Sequence, residues 1–190
     1  MSETEKPKIE KWEVLKTEDI SPAPWFPLFV DKVRLPHTGK EIEYYRAELG
    51  HVAMIVAVTP KKEVILARQY KHGVQEITHE LPAGRIGKRN PKEAAREELE
   101  QETGIKAKEL RLIGEVFVAP SKDSTRTHGY LVVDAEITGD QQFDENENIE
   151  LVHVPVAELD EWIKSGKIMS ADTIAMLALA RLQAPEVFRP

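Results

Sequence analysis

Glu80-Leu81-Pro82-Ala83-Gly84, a connection over residues 85–90, and then Pro91 to Ile105, PKEAAREELEQETGI, decide how this chain folds. Residues 91–103 read as a helix. Asn90 offers an N-cap side chain, Pro91 suits the first helical position, and Gly104 suits the left-handed residue that ends a helix. On a wheel of about 100° per residue with Leu99 at zero, Ala95 falls near roughly −40°, Glu102 near −60°, Glu98 near −100° and Ala94 near −140°. Glu93, Glu97 and Glu100 fall on the opposite side, near Arg96. The helix therefore carries two kinds of glutamate: a solvated set, and Glu98 and Glu102 on the arc of the apolar residues. Carboxylates at i and i+4 lie about 5–6 Å apart at Cβ and repel each other. Partial burial worsens that repulsion unless a cation lies between them, and a hard divalent ion such as Mg²⁺ suits oxygen donors.

Outward from this helix the chain reads mostly as strands. Residues 1–11 form a polar lead-in, and Trp12 to Lys16 a first short strand. Ser21-Pro22-Ala23-Pro24-Trp25-Phe26-Pro27 is a connector, since proline removes backbone donors. Leu28 to Leu35 and Glu41 to Glu48 alternate apolar and polar residues around Pro36-His37-Thr38-Gly39, a hairpin with one covered face. His51 to Thr59 and Glu63 to Arg68 form a second pair, turned at Lys61-Lys62. Val52 to Val58 is apolar on both faces, which predicts a central strand. Leu110 to Ala119 and Tyr130 to Ile137 read as strands around a polar loop, residues 120–129. An acidic loop over 140–148 and a short strand from Ile149 to Val154 follow. Two helices close the chain, over Val156 to Lys164 and over Ala171 to Leu182, the latter capped by Ser170. Strands, one helix, strands and then helices imply a mixed α/β sandwich rather than repeated βαβ units.

Composition narrows the function. The 190 residues carry 26 Lys+Arg against 33 Asp+Glu, a formal charge of −7, with 41 % hydrophobic residues. That suffices for one packed domain with a small annex. The acidic balance argues against a nucleic-acid partner, which wants a basic face. The absence of cysteine excludes disulfides, zinc-thiolate sites and thiol nucleophiles. No apolar run reaches the ~18 residues of a membrane span. The charged start, MSETEKPKIEKWE, lacks a secretory core, so a cytoplasmic location is expected.

The segment from Gly84 to Ile105 resembles the signature of Nudix hydrolases, a loop–helix–loop with a glycine, a later glutamate, and then Arg-Glu-apolar-any-Glu-Glu-any-Gly-apolar. Glu98, Leu99, Glu102, Gly104 and Ile105 match. Glu80-Leu81-Pro82-Ala83-Gly84 and Arg68-Gln69-Tyr70 resemble the branch that hydrolyses ADP-ribose and nucleotide sugars, as do Pro120, 15 residues beyond Ile105, and the run from Asp144 to Glu150. The box departs from the pattern. Arg89 or Asn90 stands where the family has its loop glutamate, Glu97 replaces the arginine beside Arg96, Gln101 replaces the first of the paired glutamates, and the loop is one residue shorter.

The resemblance implies a Nudix α/β/α sandwich over residues 50–190, with a β-rich extension over 1–49 that builds a homodimer. It implies Mg²⁺, with Mn²⁺ as a substitute, held by Glu98, Glu102 and the Ala83 carbonyl. It implies cleavage of a nucleoside diphosphate linked to another group X, giving a nucleoside monophosphate and a sugar phosphate. In this branch the proton acceptor comes from the loop after the proline, where Asp123 is the carboxylate and His128 a second titratable group. Arg68 and Arg126 are phosphate partners, with Lys71 and Lys122 weaker ones; Glu80 contacts substrate or orients Arg68, and Gly84 and Pro120 line the substrate. The departures leave an alternative, a Nudix-fold module that binds a nucleotide with weak or no turnover.

Overall fold

The strand Val52–Val58 sets the layering. Ala53, Ile55 and Ala57 point into one apolar cluster with Ala94, Ala95 and Leu99, and Met54, Val56 and Val58 point into a second with Met176, Leu177 and Ala180. A strand covered on both faces must be apolar throughout. The computed structural model describes residues 9–143 and 148–189. It divides into two compact units, one of residues 1–49 with 119–125 and one of 50–118 with 126–190.

In the first unit, β1 (Glu13–Asp19), β2 (Leu28–Arg34) and β3 (Glu41–Ala47) form an antiparallel sheet in that order. The hairpin around residues 36–39 is as expected, and β1 runs three residues beyond Lys16. The segment 119–125 joins it: the Ala47 amide donates to the Lys122 carbonyl at 2.8 Å and the Tyr44 hydroxyl to the Ser121 carbonyl. Asp31 on β2 is buried. It accepts from Arg46 Nε at 2.5 Å and from the Thr17 hydroxyl at 2.7 Å, and the Arg46 bond holds its pKa below the usual carboxylate range.

In the second unit, the main sheet runs β10 (Glu150–Pro155), β5 (Glu63–Lys71), β4 (Val52–Val58), β9 (Arg126–Val133) and β8 (Arg111–Phe117). The β4–β9 pair is parallel and the others antiparallel, a mixed sheet. β4 and β5 share only the Val58–Val64 rung and then part. β6 (Glu76–Glu80) fills the gap from β5 and β7 (Ala83–Arg85) from β4. Leu81 and Pro82 cross the opening, where the Ile55 amide donates to the Pro82 carbonyl at 2.9 Å. α1 (Pro91–Thr103) packs over one face; α2 (Leu159–Lys164) and α3 (Ala171–Gln183) pack over the other. This is the α/β sandwich with a mixed sheet that the sequence predicts.

Several details differ. β9 begins at Arg126, inside the expected polar loop, because it pairs in parallel register with β4 from Val52↔Thr127 onward. It ends at Val133 rather than Ile137, as Asp134 turns with φ +53°. Val156 to Glu158 form a turn, so α2 starts at Leu159. Ser170 precedes α3 but does not cap it: its hydroxyl donates to the Asp172 carboxylate, which accepts the Thr173 amide at 2.9 Å. The expected acidic pattern at residues 144–147 lies outside the described residues.

Candidate active site

α1 is fixed at both ends. The Asn90 side chain accepts the Lys92 amide at 2.9 Å, and Pro91 needs no donor there. Gly104 closes the helix at φ +72°, its amide donating to the Glu100 carbonyl at 2.8 Å. Two more terminal carbonyls find partners in the following loop. Gln141 Nε2 donates to the Glu102 carbonyl at 2.6 Å, and the Gln142 amide to that of Gln101 at 2.8 Å.

With the helix so placed, its glutamates separate by environment. Glu102 is 5 % exposed, and its carboxylate accepts the Ala83 amide at 3.1 Å. The Glu98 side chain is 17 % exposed against 52 % for Glu97. Glu98 lies directly over Gly84, where an added Cβ would overlap its carboxyl carbon and both oxygens. Only a residue without a side chain lets strand β7 and this carboxylate approach so closely. Glu98, Glu102, Ala83 and Gly84 are thus brought together where the sheet opens between β4 and β5.

Arg89 is the cation at this place. Its Nη2 donates to Glu98 Oε1 at 2.8 Å and its Nη1 to Glu97 Oε2 at 2.6 Å. Its Nε donates to the Ile86 carbonyl at 3.2 Å, and Nη2 also bonds the Arg85 carbonyl. Glu97 first and then Glu98 raise the pKa of this guanidinium further. Sequence reasoning placed Glu97 on the solvated face and gave Arg89 no role. Where the family signature has an acid in the loop, this chain has Arg89 or Asn90, and where it has an arginine on the helix, this chain has Glu97. Arg96, beside Glu97, turns instead to the Ala107 carbonyl.

The other residues named from sequence are placed as follows. Arg68 pairs with Glu150 at 2.5 Å across β5 and β10, and Glu80 with Lys71 at 3.4 Å. Arg126 pairs with Glu115 at 3.2 Å and stacks over Phe117. His128 Nδ1 meets the other Glu115 oxygen at 3.1 Å. Glu115, His128, Ala53 and Gly84 lie opposite one another across β8, β9, β4 and β7, a row on the α1 side of the sheet. Glu115 was missed because strand pairing leaves no local trace in sequence. Asp123 and Pro120 belong to the first unit. Asp123 accepts from the Thr125 amide at 3.0 Å, the Thr125 hydroxyl at 2.8 Å and the Leu49 amide at 3.4 Å.

Comparison with known proteins accords with this architecture. The chain is 26 % identical over 158 residues to the ADP-ribose pyrophosphatase of Bacillus subtilis (strain 168), covering 82 % of this chain and 85 % of that protein. It is 25 % identical over 178 residues to a methanol dehydrogenase activator of Bacillus methanolicus, covering 93 % and 96 %. It is 28 % identical over 130 residues to the GDP-mannose pyrophosphatase of Escherichia coli (strain K12), covering 63 % and 66 %. A crystal structure of an ADP compounds hydrolase superposes with a TM-score of 0.84 at 22 % identity, over 95 % of this chain and 98 % of that one, and shares the fold. The NUDIX domain model matches residues 49–173. With most of its length inside that match, the chain belongs to the NUDIX domain family.

Proposed function

We propose that this Nudix pyrophosphohydrolase cleaves the pyrophosphate bond of a nucleoside diphosphate linked to X, with ADP-ribose or a nucleotide sugar as substrate. Water adds at one phosphorus, the bridging P–O bond breaks, and a nucleoside monophosphate and a sugar phosphate leave. One observation carries this reading: two glutamates a helical turn apart, both withdrawn from solvent, meet the Ala83–Gly84 backbone where the sheet opens. The likeness to the ADP-ribose and GDP-mannose pyrophosphatases supports the substrate class.

The donor set suits a hard divalent cation. No three His, Cys, Asp or Glu side chains converge among the described residues. Mg²⁺ is commonly held by one or two carboxylates, keeping waters and adding substrate phosphates, so Glu98, Glu102 and the Ala83 carbonyl suffice. When bound there, Mg²⁺ or Mn²⁺ would neutralise phosphate charge and lower the pKa of a bound water. The chain's own residues do the rest. Gly84 leaves room for Glu98, and the Ala83 amide holds Glu102 in one orientation. Arg68 and Arg126 exchange their carboxylate partners for phosphate oxygens, which a guanidinium fork matches. Glu80 and Gly84 contact the remainder of the substrate, and the resemblance adds Pro120. The resemblance names Asp123 and His128 as the candidate proton acceptors. Self-association through the N-terminal strands and a cytoplasmic location complete the reading; sedimentation at twice the 21.5 kDa chain mass tests the first.

The test is a panel of ADP-ribose, GDP-mannose and a dinucleoside polyphosphate, with and without Mg²⁺, read by chromatography of the monophosphate product. Turnover of the first two should vanish with chelator, and Glu98→Gln should lose about a hundredfold or more in kcat/KM. Undiminished turnover in either condition refutes the site. The hold of Arg89 on Glu98 favours a second reading, a nucleotide-binding module, which calorimetric ADP-ribose binding without Mg²⁺-dependent cleavage would select.

A further inference from the structure

The cation nearest Glu98 is the chain's own. We propose that Arg89 is a resident counter-cation that a divalent metal must displace from Glu98, so that the loop over residues 85–90 sets the metal affinity of the site. The inference rests on the assignment of Glu98 as a metal ligand.

Arg89 is not a drifting surface charge. Two carbonyls of its own loop, Arg85 and Ile86, hold the guanidinium, and Glu97 holds it from the helix side. The loop is tied down at both ends. The Ile86 amide donates to the His51 carbonyl at 2.9 Å, and the Asn90 side chain caps α1. A guanidinium pinned in this way stands ready against Glu98 and spares a half-buried carboxylate the cost of lying unpaired. A divalent cation wants the same oxygens, and a positive charge left in contact with Glu98 opposes it. The Arg89 and Glu98 side chains are 36 % and 17 % exposed, so water screens their attraction and the pair can be exchanged. Glu97 gives the displaced guanidinium somewhere to stay, because its bond at 2.6 Å does not involve Glu98. Arg89 is therefore a positioning residue that acts through Glu98.

The experiment measures metal binding without nucleotide or turnover, by the electron paramagnetic resonance signal of free Mn²⁺ on the full chain. Arg89→Gln removes the charge and should bind Mn²⁺ about three- to tenfold more tightly than the wild type. Arg89→Lys keeps the charge and should stay within about twofold of the wild type. Equal or weaker binding by Arg89→Gln overturns the inference. A second readout needs no substitution at this position. In the wild type, saturating Mg²⁺ should shift the Nη–H resonances of one arginine and hasten their exchange with solvent, and an unchanged arginine spectrum overturns the proposal even where Arg89→Gln fails to fold. Glu98→Gln separates the two levels. If it binds Mn²⁺ as the wild type does, Glu98 is not a ligand and both readings fall. If it binds more weakly while Arg89→Gln binds no more tightly, only the role of Arg89 falls.

Discussion

Gly84→Ala separates the chemistry of this site from its stability. The added methyl would overlap the Glu98 carboxyl carbon and both of its oxygens, and no backbone atom is among its nearest neighbours. What must give is the end of a flexible side chain. Swinging Glu98 aside forfeits its bond with Arg89, a partly exposed pair of the kind worth about 0.2–1 kcal/mol. Against that, alanine in extended backbone restricts the unfolded chain and returns about 0.4–1 kcal/mol. The two nearly cancel, so unfolding should change by no more than about 1 kcal/mol, a Tm shift of about 2–4 °C. Activity has no such compensation: a carboxylate displaced by an ångström or more should cost about a hundredfold in kcat/KM. Gly73→Ala is the control, since nothing lies within 4 Å of its added Cβ. The assay pairs a thermal melt with ADP-ribose turnover at saturating Mg²⁺. A variant that melts more than about 8 °C low, or keeps kcat/KM within about threefold, refutes the reasoning.

Other expectations follow from the same geometry. Gly104→Ala should lower stability by about 1–3 kcal/mol, because φ is +72° and the new Cβ would strike the Gly139 carbonyl, which is backbone and cannot step aside; a denaturant melt checks it. Arg46 lowers the pKa of buried Asp31, so this pair adds stability above the unfolded value near about 4, and that stability is lost as pH falls through the lower folded value. Melts at pH 5 and below pH 4 should therefore converge in Asp31→Asn relative to the wild type, and Arg46→Ala should cost about 1–3 kcal/mol at neutral pH. Asp123→Asn and His128→Gln test the proton acceptor: the true one should lose about 10²–10⁴ in kcat and the other no more than about fivefold, and two mild effects would leave neither in that role.

How legible the molecule was depended on whether local or distant partners set each feature. β4 and α1 were plain, because both apolar faces of Val52–Val58 and both caps of residues 91–103 lie in the residues themselves. The unequal burial of Glu97, Glu98 and Glu102 followed from helical geometry alone. β6 and β7 were not legible as a pair of inserts. They are short, and they exist because β4 and β5 part after one rung. The start of β9 at Arg126 belongs to its register with β4, not to the polar composition of residues 120–129. Arg68 reads equally well as a phosphate ligand or a surface charge, and its partner Glu150, 82 residues away, leaves no trace beside it in sequence. Ser170 had a neighbour, Asp172, that took its hydroxyl.

The exchange of sign between the loop and the helix limits how such a chain is rebuilt. From a relative with an acid before the helix and a base upon it, either single first step toward this chain sets two like charges where Arg89 and Glu97 meet here. Chimeras that import only residues 85–90, or only α1, inherit that clash, while those carrying both segments together avoid it. Loop and helix are thus one heritable unit, to be moved whole or left alone.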